Sequence, residues 1–229
     1  IQNAINLSQD GDTILVSVGS YQEHIDFKGK NISVIGENRD LTILEYISYD
    51  TALVNVDEGE NTNSTFLKNF TLTGMNSDPQ GRSAIEIQSG ITLDNLIISG
   101  NYSPGNGPAI FINEDAEVKL INSDIFNNTG NAFGTIYVEN SSLSIENTTI
   151  SNNSTLVGGA IVATNSKLDI FHSIISNNTA NECSGGIYTK DNSNINISNL
   201  LLVNNNSLEL HADGGGCHSA AYFTDTDGF

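Results

Sequence analysis

Three carboxylates, Asp57, Glu86 and Glu139, occupy outward places in a pattern that recurs along this 229-residue chain, and paired carboxylates are what glycoside hydrolysis uses. Glu86 and Glu139 fall two repeats apart. At ~4.8 Å per stacked layer their backbones would lie ~10 Å apart with another layer between them, so the spacing supplies two acids without a shared substrate position. The two arginines, Arg39 and Arg82, fall outside these places. No catalytic residue is assigned from this set, and the chain leans away from being an enzyme.

His172 stands where other copies of the repeat carry Asn. An imidazole both donates and accepts, so His172 reads as a substitute in a hydrogen-bonding column rather than as a base. His24, His211 and His218 share no repeat position. His218 follows Cys217, but two ligands without a second pair do not build a zinc site. The run Asp225-Thr226-Asp227-Gly228 opens like a Ca²⁺ loop and is followed only by Phe229, without the further acids such a loop uses. No metal and no cofactor are expected.

The chain has 8 Lys+Arg against 27 Asp+Glu, a net charge of -19, and its neutral polarity comes from 32 Asn, 25 Ser and 18 Thr. That charge repels nucleic acid and anionic membranes, whose recognition needs clustered cations. No apolar run approaches the ~18 residues of a membrane span. The opening IQNAINLSQDGD lacks the basic and apolar parts of a signal peptide, so a mature or excised segment is expected. Two cysteines and thirteen Asn-x-Ser/Thr sequons, from Asn6 to Asn205, point to an extracellular or cell-surface address.

What must position these residues is legible in a repeat. Segments 107–128, 134–153, 158–178 and 185–205 align, with opening isoleucines Ile110, Ile136, Ile161 and Ile187; looser copies open at Ile85 and Val54. Within a copy, apolar and polar residues alternate in three short runs: Ile136 and Val138, then Leu143 and Ile145, then Ile150. Period-two alternation means strands with one buried face. Three such strands in ~25 residues cannot enclose a core alone, but stacked coils can share one. The spacing therefore predicts an all-β, right-handed parallel β-helix of about seven coils, forming one domain over residues 1–229, with a short amphipathic helix at IQNAIN capping its N-terminal end.

The turns carry two columns of polar residues. One reads Asn69, Asn95, Asn122, Asn147, His172, Asn199; the other ends in Asn127, Asn152, Asn177, Asn204. Asn tolerates left-handed backbone, and its amide can bond to the Asn one coil above or below, so both columns are expected to be inward structural ladders. On that expectation Asn127, Asn147 and Asn152 are poor glycosylation sites despite their sequons, whereas Asn101 and Asn140 point outward and are the candidates.

The run IQNAIN…DGDTILVSVGSYQEHIDFKGKNISVIGE resembles the opening coil of secreted right-handed parallel β-helix repeat proteins of the pectin-lyase-like superfold. Gly158-Gly159-Ala160-Ile161 is also similar to the repeats of chlamydial polymorphic outer-membrane adhesins, whose companion Phe-x-x-Asn motif occurs here once, as Phe66-Leu67-Lys68-Asn69. The resemblance implies the fold and a range of roles: lyases, esterases, epimerases, adhesins and stalks. It also implies that chemistry, where present, uses the outer face of the first strand of each coil. Lyases there need carboxylates on Ca²⁺ with an Arg or Lys base, and esterases two Asp and an Arg. The outward stripe here instead contains Glu86, Phe111, Tyr137, Glu139 and Tyr188, a candidate platform for a sugar or a neighbouring protein.

The functional expectation is an extracellular structural or adhesive module: a stalk, an adhesin segment or a filament subunit. The rival is a carbohydrate-binding or polysaccharide-modifying protein; binding along the Phe111–Tyr188 stripe would need a shallow groove bounded by long loops, and the loops here are short except for 75–83, 101–108 and 206–219. Partners would be carbohydrate or neighbouring subunits, and unpaired strand edges at the ends of the stack invite end-to-end assembly. Finally, Cys183-Ser-Gly-Gly-Ile-Tyr188 aligns with Cys217-His-Ser-Ala-Ala-Tyr222 at an offset of 34 residues. This predicts one further parallel coil and a disulfide between Cys183 and Cys217.

Overall fold

The computed structural model describes the chain except for residues 47–50, 58, 75–80, 210–220 and 224–229. Short strands wind into a parallel β-solenoid of about seven turns. One sheet holds one strand per coil, from Ile25–Asp26 through Val54–Val56, Ile85–Ile87, Ile110–Ile112, Ile136–Glu139 and Ile161–Thr164 to Ile187–Lys190. Its register joins Val54, Ile85, Ile110, Ile136, Ile161 and Ile187, the repeat openings, in one line. A 14-stranded sheet takes two strands from each coil up to Ser151 and one ten-residue strand, Lys167–Ser176 and Asn194–Val203, from each of the last two. From Tyr102 onward a five-stranded sheet closes the remaining side, ending at Asn206–Glu209.

The alternating residues face one shared interior. Ile136, Val138, Leu143, Ile145 and Ile150 are at most 1% exposed and belong to a single apolar cluster that runs from Ile5 to Ile187. The helix Gln2–Leu7 closes the N-terminal end by burying Ile5 completely. Six residues are too few for a helix to persist alone, and its ends are tied by other segments. The Gln2 N–H donates to Glu23 Oε2 at 2.8 Å, while Lys30 Nζ donates to the carbonyls of Ile5, Asn6 and Ser8 at 2.6, 3.1 and 2.9 Å. A cation on the orphan carbonyls also matches the negative end of the helix dipole.

At the corners the structure moves the expected ladder by one residue. Asn127, Asn152, Asn177 and Asn204 have φ near +55°, as do Asn69, Asn95, Asn122, Asn147, His172 and Asn199 at the other corner. These residues make the bend. Asn127, Asn147, Asn152, Asn177 and Asn204 are nevertheless exposed, not inward. The buried column is the next residue: Asn101, Asn128, Asn153, Asn178 and Asn205, all at most 4% exposed. The left-handed residue turns the chain, its own side chain leaves on the convex side, and its successor starts the next strand facing in.

The inward amides bond to one another from coil to coil. Asn153 Oδ1 accepts from the backbone and side-chain nitrogens of Asn128 at 2.9 and 3.1 Å. Its Nδ2 donates to Ile125 O at 3.0 Å and to Asn178 Oδ1 at 2.9 Å. The same exchange joins Asn101 to Asn128 and Asn178 to Asn205. At the other corner Ser123, Thr148 and Ser173 play this part with hydroxyls, which accept the N–H groups of Leu96, Ser123 and Thr148. At a third, Ser141, Ser166 and Ser193 accept from Ala116, Ser141 and Ser166. Outside, the left-handed residues form a looser chain, with Asn95 to Asn69, Asn147 to Asn122 and Asn165 to Asn140 contacts of 2.8 Å; Asn199 Nδ2 lies 3.0 Å from His172 Nε2.

Asn101 is therefore corrected from an outward glycosylation candidate to a buried ladder member at 1% exposure, while Asn140 is exposed as expected. The last coil is corrected as well. Ala221–Phe223 pairs antiparallel with Ile187–Thr189, with Tyr188 opposite Tyr222. The offset of 34 survives at the tyrosines, but the strand runs opposite to the parallel coil that was expected. Apolar alternation encodes which face is buried and carries no information about strand direction. Cys217, His211, His218 and the Asp225–Gly228 run lie outside the described residues.

Candidate binding cleft

On the outer face of the one-strand-per-coil sheet, Glu86, Phe111, Tyr137, Val162 and Tyr188 form one column, each opposite the next in the ladder. The column is not the open platform expected. Tyr137 and Tyr188 are only 3% and 5% exposed and cluster with Val157, Val162, Phe133 and Leu156. The corner segments of these coils turn back over the sheet and cover it. Phe133 stacks on Tyr137 at 5.8 Å between ring centres, Phe111 stacks on Tyr137 at 5.6 Å, and Lys190 Nζ sits 4.8 Å from the Phe133 ring centre. Burial raises the pKa of the Tyr137 hydroxyl, which reaches Glu139 Oε1 at 3.4 Å.

In this cover Gly158 holds a left-handed φ of +66°, and backbone proximity explains Gly159. A Cβ on Gly159 would meet Gly185 O at 2.4 Å and Thr179 O at 2.7 Å, so adjacent turns pack backbone on backbone. Such an approach excludes any side chain.

Among the described residues the column opens at its lower end. A cleft of about 270 Å³ is lined by Gly81, Arg82, Glu86, Gln88, Asn106, Phe111 and Asn113. Glu86, Gln88, Phe111 and Asn113 come from two adjacent coils of the sheet, Arg82 from the 75–83 loop and Asn106 from the 101–108 loop. Gly81 and Arg82 at the end of one long loop and Asn106 of another thus line it. Arg82, placed off the stripe by its sequence position, reaches onto it: one guanidinium nitrogen, Nη1, lies 3.1 Å from Glu86 Oε2. Glu86 Oε1 also accepts the Ser83 N–H at 3.3 Å. Asn106 Oδ1 accepts the Phe133 N–H at 3.3 Å, linking the rim of the cleft to the aromatic stack.

The three carboxylates weighed for chemistry are not brought together. Glu139 lies two strands from Glu86, with the Phe111 strand between them. Asp57 feels Asp26 and Lys28 instead, and burial, followed by the charge of Asp26, raises its carboxyl pKa. Arg39 pairs with Asp124 at 3.0 Å on the 14-stranded sheet. Among the described residues no group of three or more His, Cys, Asp or Glu could hold a metal ion. Sequence reasoning missed Arg82 and Asn106 as site residues, because turn-borne side chains have no fixed repeat position. The only signal for them was the length of their loops.

The family described as a right-handed beta helix region matches residues 52–225. No curated protein sequence matches the chain. Among solved structures the chain is similar to a pectin methylesterase from Yersinia enterocolitica, with a TM-score of 0.53, 10% identity and 91% of each chain covered. At that identity the likeness concerns the fold alone.

Proposed function

The chain belongs to the right-handed β-helix family, and we propose that within it this protein is a non-catalytic adhesive module at an extracellular or cell-surface address, binding carbohydrate in the cleft between Arg82, Glu86 and Phe111. The fold is compatible with a polysaccharide-related role. The observation that carries the reading is the convergence of an aromatic ring, three carboxamides and an ion pair in one concave site. Aromatic faces take the C–H faces of sugars and polar groups orient their hydroxyls. The cleft supplies one carboxylate, already paired with Arg82, where hydrolysis uses two, which supports binding over turnover. Retention on immobilised polysaccharides tests this: wild-type protein should be held, and Phe111→Ala should be released. Turnover of polysaccharide lost in Glu86→Gln would overturn the non-catalytic part.

The extracellular address is supported by the sequons and by the absence of a free cysteine among the described residues. With two cysteines in the chain, a Cys183–Cys217 disulfide is proposed. Thiol titration of denatured, unreduced protein should then find none free, and two free thiols would remove it.

A second reading, a stalk or filament subunit joined end to end, is favoured by a separate observation. The seven exposed large apolar side chains of the described residues, Leu7, Leu15, Val18, Leu41, Ile174, Ile197 and Leu201, lie only in the coils nearest the two ends. Concentration-dependent growth in sedimentation, abolished by Leu15→Lys and by Leu201→Lys, would establish it.

A further inference from the structure

The cleft is narrower in chemistry than the word carbohydrate implies. We propose that its ligand is an uncharged saccharide of one or two rings, and not a uronate; this rests on the carbohydrate reading above.

Charge is the first reason. Arg82 is the one base among the described residues lining the cleft, and its guanidinium already faces Glu86 at 3.1 Å. A uronate carboxylate bound there would share that guanidinium with Glu86, and two like charges so close repel. Around it, Asp57, Glu114, Asp115 and Glu139 add negative charge on the same sheet and its turns, in a chain of net charge -19. The other lysines of this face are committed elsewhere, Lys28 to Asp26 at 2.5 Å and Lys190 to the Phe133 ring.

The remaining groups suit hydroxyls. Gln88, Asn106 and Asn113 are carboxamides, which donate and accept as sugar hydroxyls do, so they pair with them without a net charge on either side. Phe111 presents apolar surface to the same space and is backed by Tyr137 at 5.6 Å, which fixes the ring's orientation.

Size is the third reason. A volume of about 270 Å³ lies at the lower limit of the ~300–1,000 Å³ typical of small-ligand sites. The covered tyrosines and the Phe133 wall end the groove on the C-terminal side, so a saccharide cannot continue along the column in that direction.

The test is calorimetric titration with cellohexaose, xylohexaose and mannohexaose against hexagalacturonate, at 0.05 and 0.5 M NaCl and with and without Ca²⁺. One neutral hexasaccharide is expected to bind at least tenfold tighter than hexagalacturonate, a difference of about 1.4 kcal/mol, with affinity unchanged by salt and matched within about twofold by its own disaccharide, whereas a disaccharide at least tenfold weaker would overturn the limit of one or two rings. Phe111→Ala and Asn113→Ala should each weaken it, with melting temperatures reported for both. Glu86→Gln, which frees Arg82, should raise hexagalacturonate affinity. Tighter hexagalacturonate binding by the wild type, directly or through Ca²⁺, overturns this inference and leaves the carbohydrate reading standing. Absence of binding to every probe removes the carbohydrate reading itself, and the inference with it.

Discussion

Asn152 and Asn153 are neighbours of the same type in the same corner, and they have opposite tasks. Asn152 holds φ at +56° in the open, and its Nδ2 contacts only the adjacent Ser151 hydroxyl, at 3.4 Å. Asn153 is 1% exposed and exchanges four hydrogen bonds with the coils on either side. The outer column pays for the backbone bend through its tolerance of left-handed φ, and the inner column satisfies the polar groups that the bend brings inside. The two requirements are separable, because the first concerns a residue's own dihedrals and the second concerns partners 25 residues away.

The largest effect should come from the inner column. Asn153→Leu leaves the Asn128 N–H and the Ile125 carbonyl buried without this partner, and at ~1–3 kcal/mol per group the loss should total about 3–6 kcal/mol in urea denaturation. An unchanged transition would mean that the inner amides are dispensable and that packing alone holds the corner. Thr148→Val, in the hydroxyl column, removes an acceptor for the Ser123 N–H and a donor to Glu146 O, for about 1–3 kcal/mol by the same measurement.

Substitutions in the outer column should cost less and respond to a different property. Asn152→Ala should lose about 1–2 kcal/mol to left-handed strain, and Asn152→Gly should recover most of it. Equal losses in Asn152→Gly and Asn153→Gly would erase the distinction between the columns. The smallest effect on stability is also the sharpest discrimination. Asn152 and Asn153 both open sequons, and in a glycosylating secretory host peptide mass spectrometry should find glycan on Asn152 and none on Asn153. Asn127, Asn140, Asn147 and Asn177 should behave like Asn152, and Asn101 and Asn205 like Asn153.

The candidate site divides along a similar line. Glu86 and Phe111 were legible, because their outward place follows from strand alternation next to Ile85, Ile87, Ile110 and Ile112, all fully buried. Arg82 and Asn106 were not, because each reaches the cleft from a turn whose path no periodicity fixes. The covering of Tyr137 and Tyr188 was hidden for the same reason: the segments that fold over them, around Phe133 and Val157, lie between the repeat's regular runs. Their aromatic character reads equally well as an exposed platform or as a small satellite core.

The sequence by itself determined the strands, their inward faces, the coil-to-coil register and the capping helix, since each follows from short-range alternation repeated at a nearly constant interval. It also marked the corners, because left-handed backbone favours Asn and Gly. Only the tertiary structure decided which of two consecutive polar residues faces in at a corner, the antiparallel sense of the Ala221–Phe223 strand, and the meeting of Arg82 with Glu86. Those outcomes depend on where the next coil and the turn segments lie in space, and a one-dimensional pattern of polar and apolar residues is the same for either answer.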